Sequence, residues 1–435
     1  MENDQTLDTL FASDVWREVV DLSLALGQIN SPHGDEGEAG NYVVDWLRRN
    51  GIHALRQEVL PGRYNAIGRL RGSGGGQSLI FNSHLDTAYG DALDIWTAGR
   101  FTRADTSAWI DQGRLYGQSV VNDKAPMAAT LIAMKALKQA GIPLKGDLIF
   151  TGVAGEIGQA PIDEFQGPRY EGKGIGARYA VTHGIVADHA LVAECTNWGM
   201  TAVECGCLLA KITIYGRAVY TPFLTRPARA LDHPNAIVKA AKFIDAFEAW
   251  AIDYERRNSL QTGSGPVVPK ASIGAIRGGL PFKPIETAGM CALYVDVRIP
   301  PDRDPLDALD ELHALVKQLE LDAEVEPYLF RKGYEGQHVE TLQDAVRKAH
   351  AHFFADPPAQ PDAPVSSMWR DLNVFNEVGI PSLTYGPPLG LSSAGWTYFI
   401  ESEDVIRAAQ VYALIALEIC NKPKAALDVT SASRH

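Results

Sequence analysis

Positive charge and cysteine are scarce in this chain, and no apolar run is long enough to cross a bilayer. Lysine and arginine number 40 against 53 aspartates and glutamates, a net charge of -13 over 435 residues. That balance argues against nucleic acid or an anionic membrane as partners. It leaves the substrate open, because a local basic pocket can sit in an acidic protein. Five cysteines, an odd number, argue against a disulfide framework and for free thiols in a reducing, cytoplasmic setting. The opening stretch MENDQTLDTLFASD is polar and acidic and has no signal-peptide pattern. Cys205 and Cys207 make a Cys-x-Cys, but no second pair has zinc-site spacing, so core packing is their expected role.

What is present describes a soluble, enzyme-like protein, with 46% hydrophobic and 21% charged residues. The length exceeds one ordinary core, so two domains are expected. Apolar periodicity predicts helices over 6–30 and 36–50, then strands at Asn65–Leu70 and Leu79–Asn82. A helix follows at Ala125–Ala140, with further strands at Asp147–Val153 and Ala190–Glu194. This alternation predicts an α/β fold, a mixed, largely parallel sheet sandwiched by helices. The pattern changes between 206 and 330. Strands near Leu208–Tyr215, Ala288–Arg298 and Ala323–Leu329 flank helices at Ala236–Tyr254 and Leu306–Leu319, an α+β insert. A strand at Ser382–Tyr385 and a helix at 403–420 then resume the first pattern. The expected division is 1–205 and 331–435 for a catalytic domain, with 206–330 as the insert.

Ligands of open α/β sheets bind outside the carboxyl ends of the strands. Four polar clusters fall at such ends: His84 with Asp86, the turn Asn122-Asp123-Lys124, Glu156, and Glu194. Alternation along an extended chain puts His84 and Asp86 on one side. Asp86 can then hold the proton on one ring nitrogen and leave the other for a metal. Each carboxylate alone reads equally as a helix cap or a solvated loop charge. One histidine with carboxylate and amide oxygens suits Zn²⁺, Mn²⁺, Fe²⁺ or Co²⁺.

The order His-x-Asp, Gly-x-x-x-x-Asn-Asp-Lys, Gly-Glu-Ile-Gly and Ala-Glu-Cys-Thr resembles the zinc aminopeptidase-like metallohydrolases. That group includes carboxypeptidase G, aminoacylase, acetylornithine deacetylase and carnosinase. The likeness runs over nearly the whole chain. It implies that 206–330 is a lid and dimerisation domain, and that the protein is a homodimer or higher homo-oligomer. It also implies two metals: one on a His and a carboxylate, one on a Glu and a C-terminal His, with an Asp bridging them.

Several of those positions differ here. His84 and Glu194 match the first site. The bridging position reads Asn122, or Asp123 if the register shifts by one. Glu156 matches the metal-binding Glu, but Gly155 replaces the catalytic Glu before it. Ser392 to Tyr398 has no histidine, and the lid His that polarises the substrate carbonyl falls at Tyr220. The resemblance with these losses implies one divalent transition metal per chain, Mn or Zn, on His84, Asn122 and Glu194. Glu156 then serves as general base, with Asp86 behind His84 and Tyr220 as donor to a developing negative charge. Lys124, Arg370 and Arg298 are candidates to pair with a substrate carboxylate, with Asp371 beside Arg370. Tyr220, Phe223, Trp369, Trp396, Tyr398 and Phe399 suggest a flat aromatic ligand. The first expectation is hydrolytic deamination of a nitroanthranilate-like aryl amine by metal-activated water. The second is an amidase, dipeptidase or deacylase on N-acyl amino acids or dipeptides, and the third a degenerate, non-catalytic binding protein.

Overall fold

The computed structural model describes residues 10–88, 107–392 and 397–424, which fall into two compact units. The first comprises Met1–Ala202, Gly336–Gln360 and Arg370–His435, the second Val203–Glu335 and Pro361–Trp369. The segment 361–369, expected with the catalytic domain, thus belongs to the second unit. Its hydroxyls explain why. Ser367 Oγ accepts from Val268 N (2.8 Å), Ser366 Oγ donates to the Pro266 carbonyl, and the Met368 carbonyl accepts from Cys205 N (3.1 Å).

The first unit is built on a seven-stranded sheet. Its order is His53–Leu60, Arg63–Leu70, Leu148–Val153, Leu79–His84, His189–Val192, Ser382–Tyr385 and Met200–Thr201. The middle is parallel: Leu79–His84 pairs in parallel with both Leu148–Val153 and His189–Val192, and Ser382–Tyr385 with His189–Val192. Both margins are antiparallel. The central strands are buried along their whole length because helices cover the sheet, and apolar runs such as Leu79–Phe81 and Leu148–Phe150 follow from that. Phe81 and Phe150 are wholly buried, worth about 1.5–3 kcal/mol each relative to exposure. Helix Ala125–Gln139 is apolar all round because it packs against Glu18–Gln28 on one flank and Ser402–Cys420 on another.

The helix expected over 6–30 is broken into a 3₁₀ turn, Asp14–Arg17, and a helix, Glu18–Gln28. Ser13 caps the turn by accepting from Val15 N, which fixes the chain's entry angle. The strand His53–Leu60 was not expected. It is the sheet margin, half exposed and rich in charge, so its alternation is weak.

The second unit is a four-stranded antiparallel sheet in the order Ala271–Gly278, Met290–Ile299, Gly206–Tyr215, Ala323–Arg331. Helices Ala236–Asn258 and Pro305–Gln318 pack on it through Phe243, Phe247, Ala308 and Leu312. Asn235 and Asp304 cap those helices by accepting from Ile237 N and Leu306 N. All five cysteines are free thiols. No described helix is long and apolar enough to cross a membrane.

Candidate metal centre and active site

The central strand Leu79–His84 carries the site. Its register sets Asn82 opposite Thr151 and His84 opposite Val153. Asn82 accepts from Thr151 Oγ1 (2.8 Å) and donates through Nδ2 to Asp371 Oδ2 (3.0 Å). This buried amide fixes a carboxylate 289 residues away, and sequence reasoning missed it. No spacing signal links residues that far apart.

His84 is 1% exposed. Its Nδ1 lies 2.9 Å from the Asp86 backbone carbonyl and 3.5 Å from the Asp86 carboxylate. The orienting group is therefore chiefly the carbonyl, not the side chain that the His-x-Asp spacing suggested. The Asp86 carboxylate accepts instead from Glu156 N (3.1 Å), Ile157 N (2.8 Å) and His33 Nδ1 (3.1 Å). Burial opposes its charge, but the bonds from His33 and His84 outweigh that and hold its pKa well below the usual carboxylate range. Asp86 thus ties the loop carrying Glu156 to the strand carrying His84. His33 was also missed, since a single histidine in a loop has no pattern.

The other ring nitrogen, Nε2, faces Asn122 Oδ1 at 2.8 Å. With the Nδ1 proton on the Asp86 carbonyl, a neutral ring presents a lone pair to a carbonyl lone pair. The pair therefore calls for positive charge. Either a proton on Nε2 or a shared cation supplies it. The 2.8 Å spacing is that of a hydrogen bond from a protonated ring, and the same two atoms are close enough to share one ion. Burial lowers the His84 pKa, but the bond and charge of Asp86, with Glu156 and Asp123, raise it well above normal. The pocket's field thus favours a cation at this place.

Three carboxylates there keep a buried oxygen with no partner: Asp123 Oδ1, Glu156 Oε1 and Asp371 Oδ1. Asp123 Oδ2 accepts from His84 N at 3.2 Å, so Asp123 faces the strand backbone while Asn122 faces the ring. Burial first, then the Glu194 charge, raises Asp123 and Glu156 well above normal. Burial raises Asp371 to about 7, against the Asn82 bond. Unsatisfied acids that repel one another are what a divalent cation relieves. The donor set fits the metal that the sequence implied.

Gly155 stands where the catalytic Glu was expected. Its φ is +68°, and a Cβ there would lie 2.7 Å from Arg63 Nη2. Arg63 is wholly internal: Nε and Nη2 bind Glu36 at 2.7 and 2.6 Å, and Nη1 donates to the Pro168 and Glu171 carbonyls. A guanidinium occupies the space that a side chain at 155 would need, so glycine is required.

The expected substrate-binding cations are engaged internally. Lys124 is wholly buried and donates to Ser31 Oγ (3.0 Å) and the Leu85 carbonyl. Burial pushes its pKa down to about 8. Arg370 is 2% exposed and gives its Nε to Glu194 Oε2 at 2.5 Å. Arg298 pairs with Asp296 at 3.0 Å in the second unit. Apolar packing forces buried cations to find such partners, which sequence cannot reveal. Of the aromatic group, Trp396 lies outside the described residues. Tyr220 and Phe223 are exposed in the second unit, edge to face at 5.9 Å, and Trp369 is buried there. In the first unit Phe399 packs on Tyr116, which stacks on Trp109 at 5.2 Å.

Among the described residues, one group of three His, Cys, Asp or Glu ligand atoms lies within 4.8 Å of one another: His33, Glu36 and Asp86. Arg63 and backbone N–H groups already satisfy its two acids.

A parallel sheet with buried acids around one histidine at its carboxyl edge defines a metallohydrolase fold. Residues 80–418 match the model of peptidase family M20/M25/M40. The chain belongs to that family and is a hydrolase acting on carbon–nitrogen bonds. It is 24% identical over 386 residues to N-formyl-4-amino-5-aminomethyl-2-methylpyrimidine deformylase of Halalkalibacterium halodurans, covering 82% of this chain and 83% of that one. A tripeptidase from Staphylococcus aureus superposes with a TM-score of 0.68 at 18% identity, covering 93% of this chain and 98% of that one. A Bacillus subtilis protein described as a dinuclear metal-binding peptidase from the M20 family has a TM-score of 0.60 at 13% identity, covering 93% and 98%.

Proposed function

We propose that the protein removes a small acyl group from an amine by attack of water on the amide carbon. The observation that carries this reading is Glu156. It is buried, Oε1 has no partner, and burial raises its pKa well above the usual carboxylate range. Its ionised form can take a proton from the attacking water, and the raised proton affinity suits it to pass that proton on to the departing nitrogen. Asp86 holds the Glu156 and Ile157 amides, so the loop meets the reaction without rearranging.

His84 and Asn122 are the proposed ligands of one divalent ion, Mn or Zn, together with Glu194 and Asp123. A bound ion supplies Lewis-acid activation of water and carbonyl. Asp371, titrating near neutrality, is a second proton store on the same wall. The pyrimidine deformylase supports an N-acyl substrate on a flat ring, which also accommodates the aromatic side chains of the sequence. Tyr220 as hydrogen-bond donor is tested by Tyr220→Phe, with a lower kcat expected. The homodimer is tested by light scattering. Its support is the exposed edge strand Ala271–Gly278 with Ile276, and Phe282 beyond it.

Deamination of a nitroanthranilate-like aryl amine, the first expectation from sequence, becomes the second reading, because the deformylase relative favours acyl cleavage. One feature keeps it: the neutral Asn122 amide at the bridging position beside His84. One assay separates the two. Metal-replete protein is given N-formyl aminomethylpyrimidine, N-acyl amino acids and nitroanthranilates. Carboxylic acid release supports the proposal. Ammonia release from the aryl amines alone refutes it.

A further inference from the structure

Like Arg63–Glu36, the Arg370–Glu194 pair is a buried ion pair of the first unit, but it lies among the acids around His84. Arg370 is 2% exposed and Glu194 9%, and the guanidinium Nε meets Oε2 at 2.5 Å. Glu194 ends the parallel strand region at His189–Val192, among the acids around His84. Its position resembles a metal-ligand carboxylate of the family, yet one of its oxygens is taken by a guanidinium. Arginine cannot be deprotonated in a protein, so this is a fixed positive charge, which a lysine would not guarantee. Its placement is fixed too. Asp371, the next residue, is bound to Asn82 of the central strand, and the Arg370 carbonyl accepts from Asn373 N at 3.1 Å.

From this geometry we infer that Arg370 stands in for a second cation, leaving a centre built for a single divalent ion. The inference rests on the reading of the His84 pocket as a cation site. Five buried acids cluster here, Asp86, Asp123, Glu156, Glu194 and Asp371, and the buried Lys124 ammonium beside Asp86 and Asp123 offsets one of them. Arg370 cancels another. One divalent ion then leaves a single negative charge, which one proton removes. Two divalent ions would leave the buried centre positive, at a cost that water cannot relieve. Asn122 agrees with this count, since a neutral amide suits one ion where a bridging carboxylate suits two. A solved structure that shares this fold is described as dinuclear, so the fold itself does not fix the number of ions.

The test is calorimetric titration of chelator-stripped full-length protein with Mn²⁺, checked by metal analysis after dialysis. The wild type should take a single equivalent, and His84→Ala should lose it. Arg370→Gln removes the fixed charge and should bind the first ion at least about tenfold more tightly. Arg370→Lys, whose charge burial can weaken, should fall between the wild type and Arg370→Gln. Two equivalents on the wild type overturn the inference and leave the metal reading standing. No binding by the wild type overturns both. An unchanged or weaker affinity in folded Arg370→Gln overturns the inference and returns Arg370 to substrate binding, where only KM rises. If Arg370→Gln fails to fold, the stoichiometry of the wild type decides, and two equivalents overturn the inference.

Discussion

Glu36 and Glu156 are both buried glutamates of the first unit, and they are treated in opposite ways. Both oxygens of Glu36 are satisfied by Arg63, and Oε1 also accepts from Gly34 N. Glu156 Oε1 is buried with no partner, beside Asp123 and Asp371 in the same condition. The first arrangement closes a fold: Arg63 ties the loop at Glu36 to the carbonyls of Pro168 and Glu171. The second leaves buried acid oxygens without partners, at a cost that stability alone would not retain. Proximity of acids therefore does not identify a functional centre. The tightest triad of potential ligands, His33, Glu36 and Asp86, includes the satisfied acid.

The comparison is broken most forcefully at Arg63. Arg63→Ala strips Glu36 of its partner in the interior and should cost about 3–5 kcal/mol in urea unfolding. Glu156→Gln should do the reverse. It should lower kcat by about 10²–10⁴ while leaving the urea midpoint near that of the wild type, since no bond is lost. A large stability loss in Glu156→Gln would place it with Glu36. Asn82→Ala sits between the two. It frees Asp371 and the Thr151 hydroxyl inside the sheet and should cost about 1–3 kcal/mol, with a fall in kcat that Asn82→Ser partly restores. The smallest effect is at Asp188, far from the chemistry. Burial opposes its charge, but Ser78 N, Ser78 Oγ and Lys424 depress its pKa. A depressed carboxylate stabilises the fold above its unfolded pKa of 3.8, and that contribution fades as pH falls through the folded value. Asp188→Asn should flatten this part of the acid-unfolding curve and leave Tm at neutral pH slightly lower. An unchanged curve would contradict it.

Much of this was legible in the sequence, for identifiable reasons. Strands buried on both faces, such as Leu79–His84 and Leu148–Val153, announce themselves as apolar runs, and their ends placed His84, Glu156 and Glu194. The margin strand His53–Leu60 was hidden because half-exposed, charged residues carry little periodicity. The partners of the buried cations were equally hidden. Arg370 looked available for a substrate, and only the folded chain shows Glu194 against it. Asn82 and Asp371 stand far apart in sequence and meet only through the sheet.

The most direct test of the claim that the unsatisfied cluster, not the satisfied triad, is the metal centre is retained metal after dialysis. Three proteins suffice: wild type, His84→Ala and His33→Ala. The account predicts a single ion on the wild type and on His33→Ala, and none on His84→Ala. Metal kept by His84→Ala and lost by His33→Ala would contradict it.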